Sequence, residues 1–76
     1  MTAIVYTSTR CAPCSSIKKY LDHKNIKYEQ RDVDTSRIWA AEVQKLTGTL
    51  IVPVTLIRGK TIVGLNYRGI NEALNG

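Results

Sequence analysis

The chain of 76 residues contains no phenylalanine, one tryptophan, two prolines and only two cysteines. Without phenylalanine, isoleucine, valine and leucine must form most of the hydrophobic core. Apolar residues still make up 43% of the chain, which is typical of a folded protein and excludes a disordered one. A chain of this length predicts one domain, residues 1–76, with a small core.

Long apolar segments and a secretion signal are also absent. No stretch approaches the roughly 20 consecutive apolar residues of a membrane-spanning helix, so we expect no membrane association. The first residues, MTAIVYT, lack the basic start, apolar stretch and cleavage site of a signal peptide. These absences favour a cytoplasmic location. A structural disulfide is disfavoured in that reducing compartment, and two cysteines therefore indicate reactive or metal-binding thiols.

Basic residues outnumber acidic ones, eleven against six, and give a net charge of +5. They are scattered along the chain, without a run of five and without a basic stripe interleaved with aromatic residues. We therefore expect no nucleic-acid partner. The charge is typical of a solvated surface, and it would also speed the encounter with an acidic protein.

The spacing of apolar residues predicts the element order βαβαββα. The predicted strands cover residues 3–7, 25–34, 53–57 and 61–65. Predicted helices follow Pro13, extend from a cap at Asp34, Thr35 or Ser36 to Gly48, and follow a cap at Asn66. Strands joined through a helix should be parallel, and the last two strands should form an antiparallel hairpin. The fold class is therefore α/β, with a four-stranded mixed sheet and flanking helices.

Each predicted helix carries apolar residues at helical spacing, and we expect these faces to pack on the sheet. The faces consist of Ile17, Tyr20 and Leu21; Trp39, Val43 and Leu46; and Ile70, Ala73 and Leu74. Two aromatic residues allow two interpretations each. Tyr6 packs in the core or lines a cleft, and Trp39 is a core anchor or an exposed contact for a partner.

Cys11 and Cys14 stand at the junction between the first strand and the first helix, where open α/β folds place their sites. The unpaired N–H groups and partial positive charge of a helix N-terminus favour the thiolate of Cys11, and Arg10 would add positive potential. Cys14 lies one turn further along, where its sulfur can reach Cys11 but has poorer access to solvent. Pro13 stiffens the loop between them.

This arrangement predicts dithiol–disulfide exchange without a bound cofactor or metal. Cys11 would attack a substrate disulfide, and Cys14 would then attack the mixed disulfide and release the reduced substrate. A C-x-x-C pair is also half of a zinc or iron–sulfur site. The only other soft ligand is His23, so the alternative is a homodimer that holds a metal ion or a 2Fe–2S cluster between two cysteine pairs.

Over nearly its whole length the chain resembles the glutaredoxins and their relatives in the thioredoxin-fold superfamily. VYTSTRCAPC is similar to their first strand and active-site loop, IVPV to the segment with a cis proline, and GKTIVGLNYRGINEAL to the closing hairpin and helix. The resemblance implies a thioredoxin fold and a monomeric dithiol–disulfide oxidoreductase that reduces protein disulfides. Its electrons would come from NADPH, through either glutathione or thioredoxin reductase.

The resemblance also implies a substrate-binding groove around the cysteines. Its residues would be Arg10, Ala12, Pro13, Val52, Pro53, Gly64 and Asn66. A cis bond before Pro53 would turn the backbone of Val52 towards Cys11 and a bound peptide or thiol. Gly64 would let the backbone pass close to that ligand.

Four departures from glutathione-using glutaredoxins weaken the implied contacts with glutathione. Ser8 stands where those proteins commonly have lysine, Pro13 where an aromatic residue is frequent, and Ile51 where threonine is usual. Residues 63–67 read VGLNY in place of G-G-x-D-D. This pattern is closer to the NrdH-redoxins, glutaredoxin-like proteins that thioredoxin reductase reduces, although the last hairpin differs from theirs.

Overall fold

The computed structural model describes residues 2–9 and 11–75. Its elements are β1 (Thr2–Thr7), α1 (Ala12–His23), β2 (Lys27–Asp32), α2 (Arg37–Thr47), β3 (Val54–Ile57), β4 (Lys60–Val63) and α3 (Tyr67–Asn75). The strands form a mixed sheet in the order β2–β1–β3–β4, in which β1 is parallel to β2 and the other neighbours are antiparallel. The predicted element order and mixed sheet are confirmed. None of the helices in the described ranges is long and apolar enough to cross a membrane.

Successive residues of β1 contact two different hydrophobic clusters, because side chains alternate between the faces of a sheet. Ala3 and Val5 lie in the larger cluster, whereas Ile4 and Tyr6 contribute to the smaller one. The larger cluster contains the buried apolar residues of α1 and α3: Ile17, Leu21, Ile70 and Ala73. The smaller cluster contains Val43 of α2. Helices α1 and α3 therefore cover one face of the sheet, and α2 covers the other.

The apolar face of α2 is only partly buried. Val43 is fully buried, and Trp39 packs against the same cluster as a partly buried core residue. Leu46 shares their face by spacing but is 39% exposed. It lies in the last turn of the helix, beyond the residues that form the smaller cluster. Of the two interpretations of Trp39, the structure supports the core anchor.

The second strand is shorter than predicted, because α1 ends in a compact turn that includes the start of the predicted segment. The N–H of Asn25 donates to the carbonyl of Asp22 at 3.1 Å, and that of Ile26 to the carbonyl of Leu21 at 2.9 Å. These are the two bonds of a Schellman motif. Asn25 has the left-handed conformation that the motif requires, with φ 58°. The strand consequently begins at Lys27.

Helix α2 begins directly after Ser36, one of the three candidate caps. Ser36 has an extended backbone and is the N-cap, but its side chain makes no capping hydrogen bond. Gly48 ends the helix as predicted, with φ 82° and an N–H that donates to the carbonyl of Gln44 at 2.7 Å. Asp34 precedes the helix and does not cap it.

We expect Ile17→Ala to lower the free energy of unfolding by about 2–5 kcal/mol, the range for buried isoleucine and leucine truncations. Ile17 is fully buried in the larger cluster, between α1 and the sheet. Its truncation removes packed methyl groups and leaves a cavity. Urea unfolding followed by circular dichroism measures the loss. The matched control is Ile38→Ala on α2, where the side chain is 71% exposed; equal losses in the two variants would contradict this assignment of the core.

Candidate active site

The first cysteine is itself the N-cap of α1. Cys11 has an extended backbone, with φ −100° and ψ 100°, and its Sγ accepts a hydrogen bond from the N–H of Cys14 at 3.2 Å. Pro13 lies in the first turn of the helix, where its missing N–H leaves no hydrogen bond unmade. The sulfur of Cys11 therefore faces the N–H groups at the start of the helix. A thiolate there would be stabilised by this bond and by the helix dipole.

The two cysteines form a disulfide, with their Cα atoms 5.3 Å apart. Cys14 is 2% exposed, whereas Cys11 is partly exposed. The predicted difference in solvent access is therefore confirmed, as is the ability of the two sulfurs to reach each other. An external thiol or disulfide can approach Cys11 from the solvent, whereas the buried Cys14 can react with the sulfur of Cys11. This geometry suits a pair that alternates between dithiol and disulfide.

Val52 and Pro53 lie at the same edge of the sheet as the cysteine loop. The pairing of Tyr6 with Val54 places Pro53 next to Thr7, the last residue of β1. The bond between Val52 and Pro53 is cis, as the family resemblance implied. Pro53 is buried and Val52 is partly exposed.

Ala12 and Pro13, between the cysteines, are both exposed, and Arg10 lies outside the described residues.

Gly64 connects the end of β4 to this edge through its N–H, which donates to the carbonyl of Pro53 at 2.8 Å. Its φ of 74° favours glycine, and among residues 2–9 and 11–75, its two chain neighbours aside, no atom lies within 4 Å of the position that a Cβ would take. The space beside Gly64 is therefore open. Asn66 caps α3 as predicted, because its Oδ1 accepts a hydrogen bond from the N–H of Gly69 at 2.9 Å. That oxygen is already engaged within the helix.

Exposed apolar residues flank Pro53 and Gly64 along the chain, and these two residues are joined by a hydrogen bond. The exposed residues are Leu50, Ile51, Val63 and Leu65, with exposed fractions of 55%, 45%, 42% and 51%. Each lies within three residues of Pro53 or Gly64 along the chain. Grouped apolar residues on a surface are typical of a site that binds another protein. In the sequence, Ile51 and residues 63–67 are departures from a glutathione motif, and the hydrogen bond from Gly64 to Pro53 that joins their two segments depends on the fold.

A carboxylate that sequence analysis considered as a helix cap instead contacts the loop before the first cysteine. Oδ2 of Asp34 accepts hydrogen bonds from Ser8 Oγ at 2.7 Å, Thr9 Oγ1 at 2.8 Å and the N–H of Thr9 at 3.0 Å. The N–H of Asp34 donates to Oδ1 of Asp32 at 2.8 Å. The sequence signal is a D-x-D segment that begins with Asp32, the last residue of β2, at the end where parallel strands β1 and β2 both finish.

Tyr6 packs in the smaller cluster rather than lining the site. It is 2% exposed, and its hydroxyl donates to Oε1 of Glu42 at 2.8 Å. Arg31 donates to the same carboxylate oxygen at 2.8 Å and pairs with Glu29. Burial, and then the bond to Glu42, raises the pKa of Tyr6, whereas the bond from Tyr6 lowers the pKa of Glu42. The bond to Glu29 raises the pKa of Arg31. The network joins β1 and β2 to α2.

His23 lies far from the cysteine pair. It is the last residue of α1, nine residues after Cys14, which corresponds to about 13 Å along the helix axis at 1.5 Å per residue. Within residues 2–9 and 11–75, no group of three His, Cys, Asp or Glu side chains is arranged to hold a metal ion. A metal ion or 2Fe–2S cluster at the cysteines would therefore need ligands from outside these residues, such as a second chain.

The comparisons with known proteins agree with this geometry. The family model described as Glutaredoxin matches residues 3–62. A glutaredoxin from Ricinus communis is 37% identical over 65 residues, which cover 80% of this chain and 63% of the plant protein. The chain thus spans less than two thirds of that relative's length.

Solved structures share the fold over almost the whole chain. The thioredoxin-like protein BC3987 has a TM-score of 0.78 and 29% identity, with 93% of this chain and 97% of that chain covered. The glutaredoxin-like protein NrdH-redoxin from Escherichia coli, described as having a thioredoxin-like activity profile, has a TM-score of 0.81 and 25% identity, with 95% and 93% covered. The fold is therefore thioredoxin-like, and the chain belongs to the glutaredoxin family.

Proposed function

We propose that this protein is a small dithiol–disulfide oxidoreductase that reduces disulfide bonds of protein substrates. The observation that carries the proposal is the Cys11–Cys14 disulfide at the start of α1, in which one cysteine is partly exposed and the other is buried. Membership of the glutaredoxin family supports the same chemistry. We also propose that it acts as a monomer in the cytoplasm, where a dithiol is kept reduced.

The reaction proceeds through two exchanges of disulfide bonds. In the reduced protein, the thiolate of Cys11 attacks one substrate sulfur, and the second substrate sulfur leaves as a thiolate that takes up a proton. Cys14 then loses its proton and attacks the sulfur of Cys11, so that the mixed disulfide breaks and the internal disulfide forms. Two electrons pass from the dithiol to the substrate, which leaves as two thiols.

The substrate segment would lie along the edge of the sheet that carries the cysteines. Val52 would offer its backbone N–H and carbonyl to an extended peptide, and the open space at Gly64 would let that peptide approach closely. The remaining proposed contacts are Arg10, Ala12, Pro13, Pro53 and Asn66. The exposed apolar side chains around Pro53 favour a protein over a small, charged thiol as the partner.

We propose thioredoxin reductase, with NADPH, as the principal source of electrons, and glutathione as the secondary one. The apolar character of Ile51, Val63 and Leu65 supports this order, because these positions supply no charged partner for the carboxylates of glutathione. Likeness to the NrdH-redoxin, whose activity profile is described as thioredoxin-like, supports it as well.

The experiment measures how fast the oxidised protein recovers two thiols from each electron source. One reaction contains NADPH and thioredoxin reductase; the other contains NADPH, glutathione reductase and glutathione. We expect recovery to be at least about tenfold faster in the first, a difference of roughly 1.4 kcal/mol in barrier.

Recovery with glutathione alone would contradict the proposed electron source but leave the redox function in place. Failure in both reactions would contradict the redox function itself. In that event, brown colour and visible absorption after anaerobic preparation would favour the iron–sulfur homodimer.

A further inference from the structure

The first cysteine enters the helix from a tight turn. The N–H of Cys11 donates to the carbonyl of Ser8 at 3.2 Å, and Thr9 lies in a turn between β1 and α1. This turn, and not the helix alone, places the Cα atom of Cys11. Whatever holds residues 8 and 9 therefore affects how Cys11 meets Cys14.

Three donors from the first half of this turn bind the same carboxylate oxygen. Ser8 and Thr9 each donate a side-chain hydroxyl to Oδ2 of Asp34, and Thr9 adds its backbone N–H, at distances of 2.7, 2.8 and 3.0 Å. Hydrogen bonds to an ionised acceptor are shorter and stronger than those between neutral groups. The carboxylate thus fixes both the backbone and the side chains at the start of the turn.

The backbone around Asp34 is itself held at the end of the sheet. The N–H of Val33 donates to the carbonyl of Thr7 at 2.8 Å and continues the ladder between β1 and β2. The N–H of Asp34 then donates to Oδ1 of Asp32 at 2.8 Å, and the N–H of Thr35 to the carbonyl of Asp32 at 3.2 Å. Asp34 therefore fixes the turn before Cys11 relative to the end of β2.

We propose that Asp34 is a positioning residue for the cysteine pair: it holds the turn so that the sulfur of Cys11 stays within reach of Cys14. This inference rests on the proposed redox function. Loss of the carboxylate would release the turn, and Cys11 would then occupy a wider range of positions. Cys14 could attack its sulfur in a smaller fraction of them. Misplacement of a reacting group by a small distance slows an intramolecular step, so closure of the internal disulfide should slow more than the first attack by Cys11.

The experiment follows a single turnover of pre-reduced protein with Ellman's reagent. Attack by Cys11 releases one thionitrobenzoate and leaves the second bound to Cys11 in a mixed disulfide. Attack by Cys14 then releases that second thionitrobenzoate and forms the internal disulfide, so the two phases report the two cysteines separately. No reductase is needed, and the result does not depend on which electron donor the protein uses.

We expect Asp34→Ala to slow the second phase about tenfold and the first phase much less. Asp34→Asn retains one acceptor oxygen and should fall between this variant and the unmodified protein. The matched control is Asp22→Asn, which removes an exposed carboxylate from α1 and should change neither phase. Thr9→Val removes one donor and keeps the side-chain shape, so its effect should largely disappear when Asp34 is already alanine.

An unchanged second phase in Asp34→Ala would overturn the proposal, even if urea unfolding showed a less stable protein, because the role of Asp34 would then be structural alone. Slowing of the first phase in Asp34→Ala as large as that of the second would also overturn it, since Asp34 would then control the reactivity of Cys11 and not its position relative to Cys14. If the unmodified protein released no thionitrobenzoate at all, the proposed redox function would fail instead.

Discussion

Cys11→Ser is expected to abolish the reduction of protein disulfides, lowering the rate by about a thousandfold or more, as loss of a catalytic nucleophile does. A serine hydroxyl at the N-cap can still accept the N–H of Cys14, so the start of α1 should be preserved. It does not attack sulfur under these conditions. Cys14 cannot take over the first step, because it is 2% exposed and a substrate disulfide does not reach it.

The measurement is steady-state reduction of insulin disulfides with NADPH and the reductase that supports the unmodified protein. Ser15→Ala is the matched control, because Ser15 is an exposed neighbour of the pair on α1; its activity should be unchanged. Circular dichroism and urea unfolding show whether Cys11→Ser remains folded. Activity above a few per cent in a folded Cys11→Ser variant would contradict the assignment of Cys11 as the nucleophile.

The features that the sequence predicted correctly are local or periodic. The apolar spacing of Ile17, Tyr20 and Leu21 specifies a helix face, and the structure places all three in or against the larger cluster. The position of Cys11 and Cys14 follows from the change of period between strand and helix. Such signals depend on neighbours within a few residues, so they can be interpreted without knowledge of the fold.

The features that the sequence did not predict depend on contacts between distant segments. Asp34 was interpreted as one of three possible helix caps, because a cap is the local use of an aspartate. Its contacts with Ser8 and Thr9 join residues 25 and 26 positions apart. They exist because the parallel register of β1 and β2 brings Thr7 opposite Asp32. The hairpin pairing likewise brings Gly64 to Pro53, and each of them has exposed apolar residues beside it in the chain.

Element ends were the other source of error, and each has a local cause that competes with strand or helix propensity. Asn25 was assigned to the second strand, but it tolerates the left-handed conformation and completes the turn after α1. Leu46 fits the apolar face of α2, yet it lies in the last turn, where the smaller cluster no longer covers it. Periodicity predicts which residues share a face, whereas the extent of the opposing cluster determines whether they are buried.

Cys14→Ser is expected to stop turnover with protein substrates after the first exchange and to accumulate the mixed disulfide on Cys11. The backbone N–H of Cys14 that bonds the sulfur of Cys11 at 3.2 Å is retained. The first attack should therefore proceed within about threefold of its normal rate, a smaller change than the loss of one typical hydrogen bond would cause. The second attack is lost, because the buried position no longer carries a thiol. Non-reducing electrophoresis and mass spectrometry should detect one substrate per protein chain.

A second variant separates chemistry from stability. The hydroxyl of a serine at this buried position would lack an assured partner, and an unsatisfied buried polar group costs about 1–3 kcal/mol; Cys14→Ala avoids this cost and should trap the same mixed disulfide. With Ellman's reagent, both variants should release one thionitrobenzoate where the unmodified protein releases two. Release of none by either variant, or mixed disulfides formed by Cys11→Ser through Cys14, would contradict the division of roles. The first result would mean that Cys11 does not attack an external disulfide, and the second that the buried Cys14 is accessible in solution.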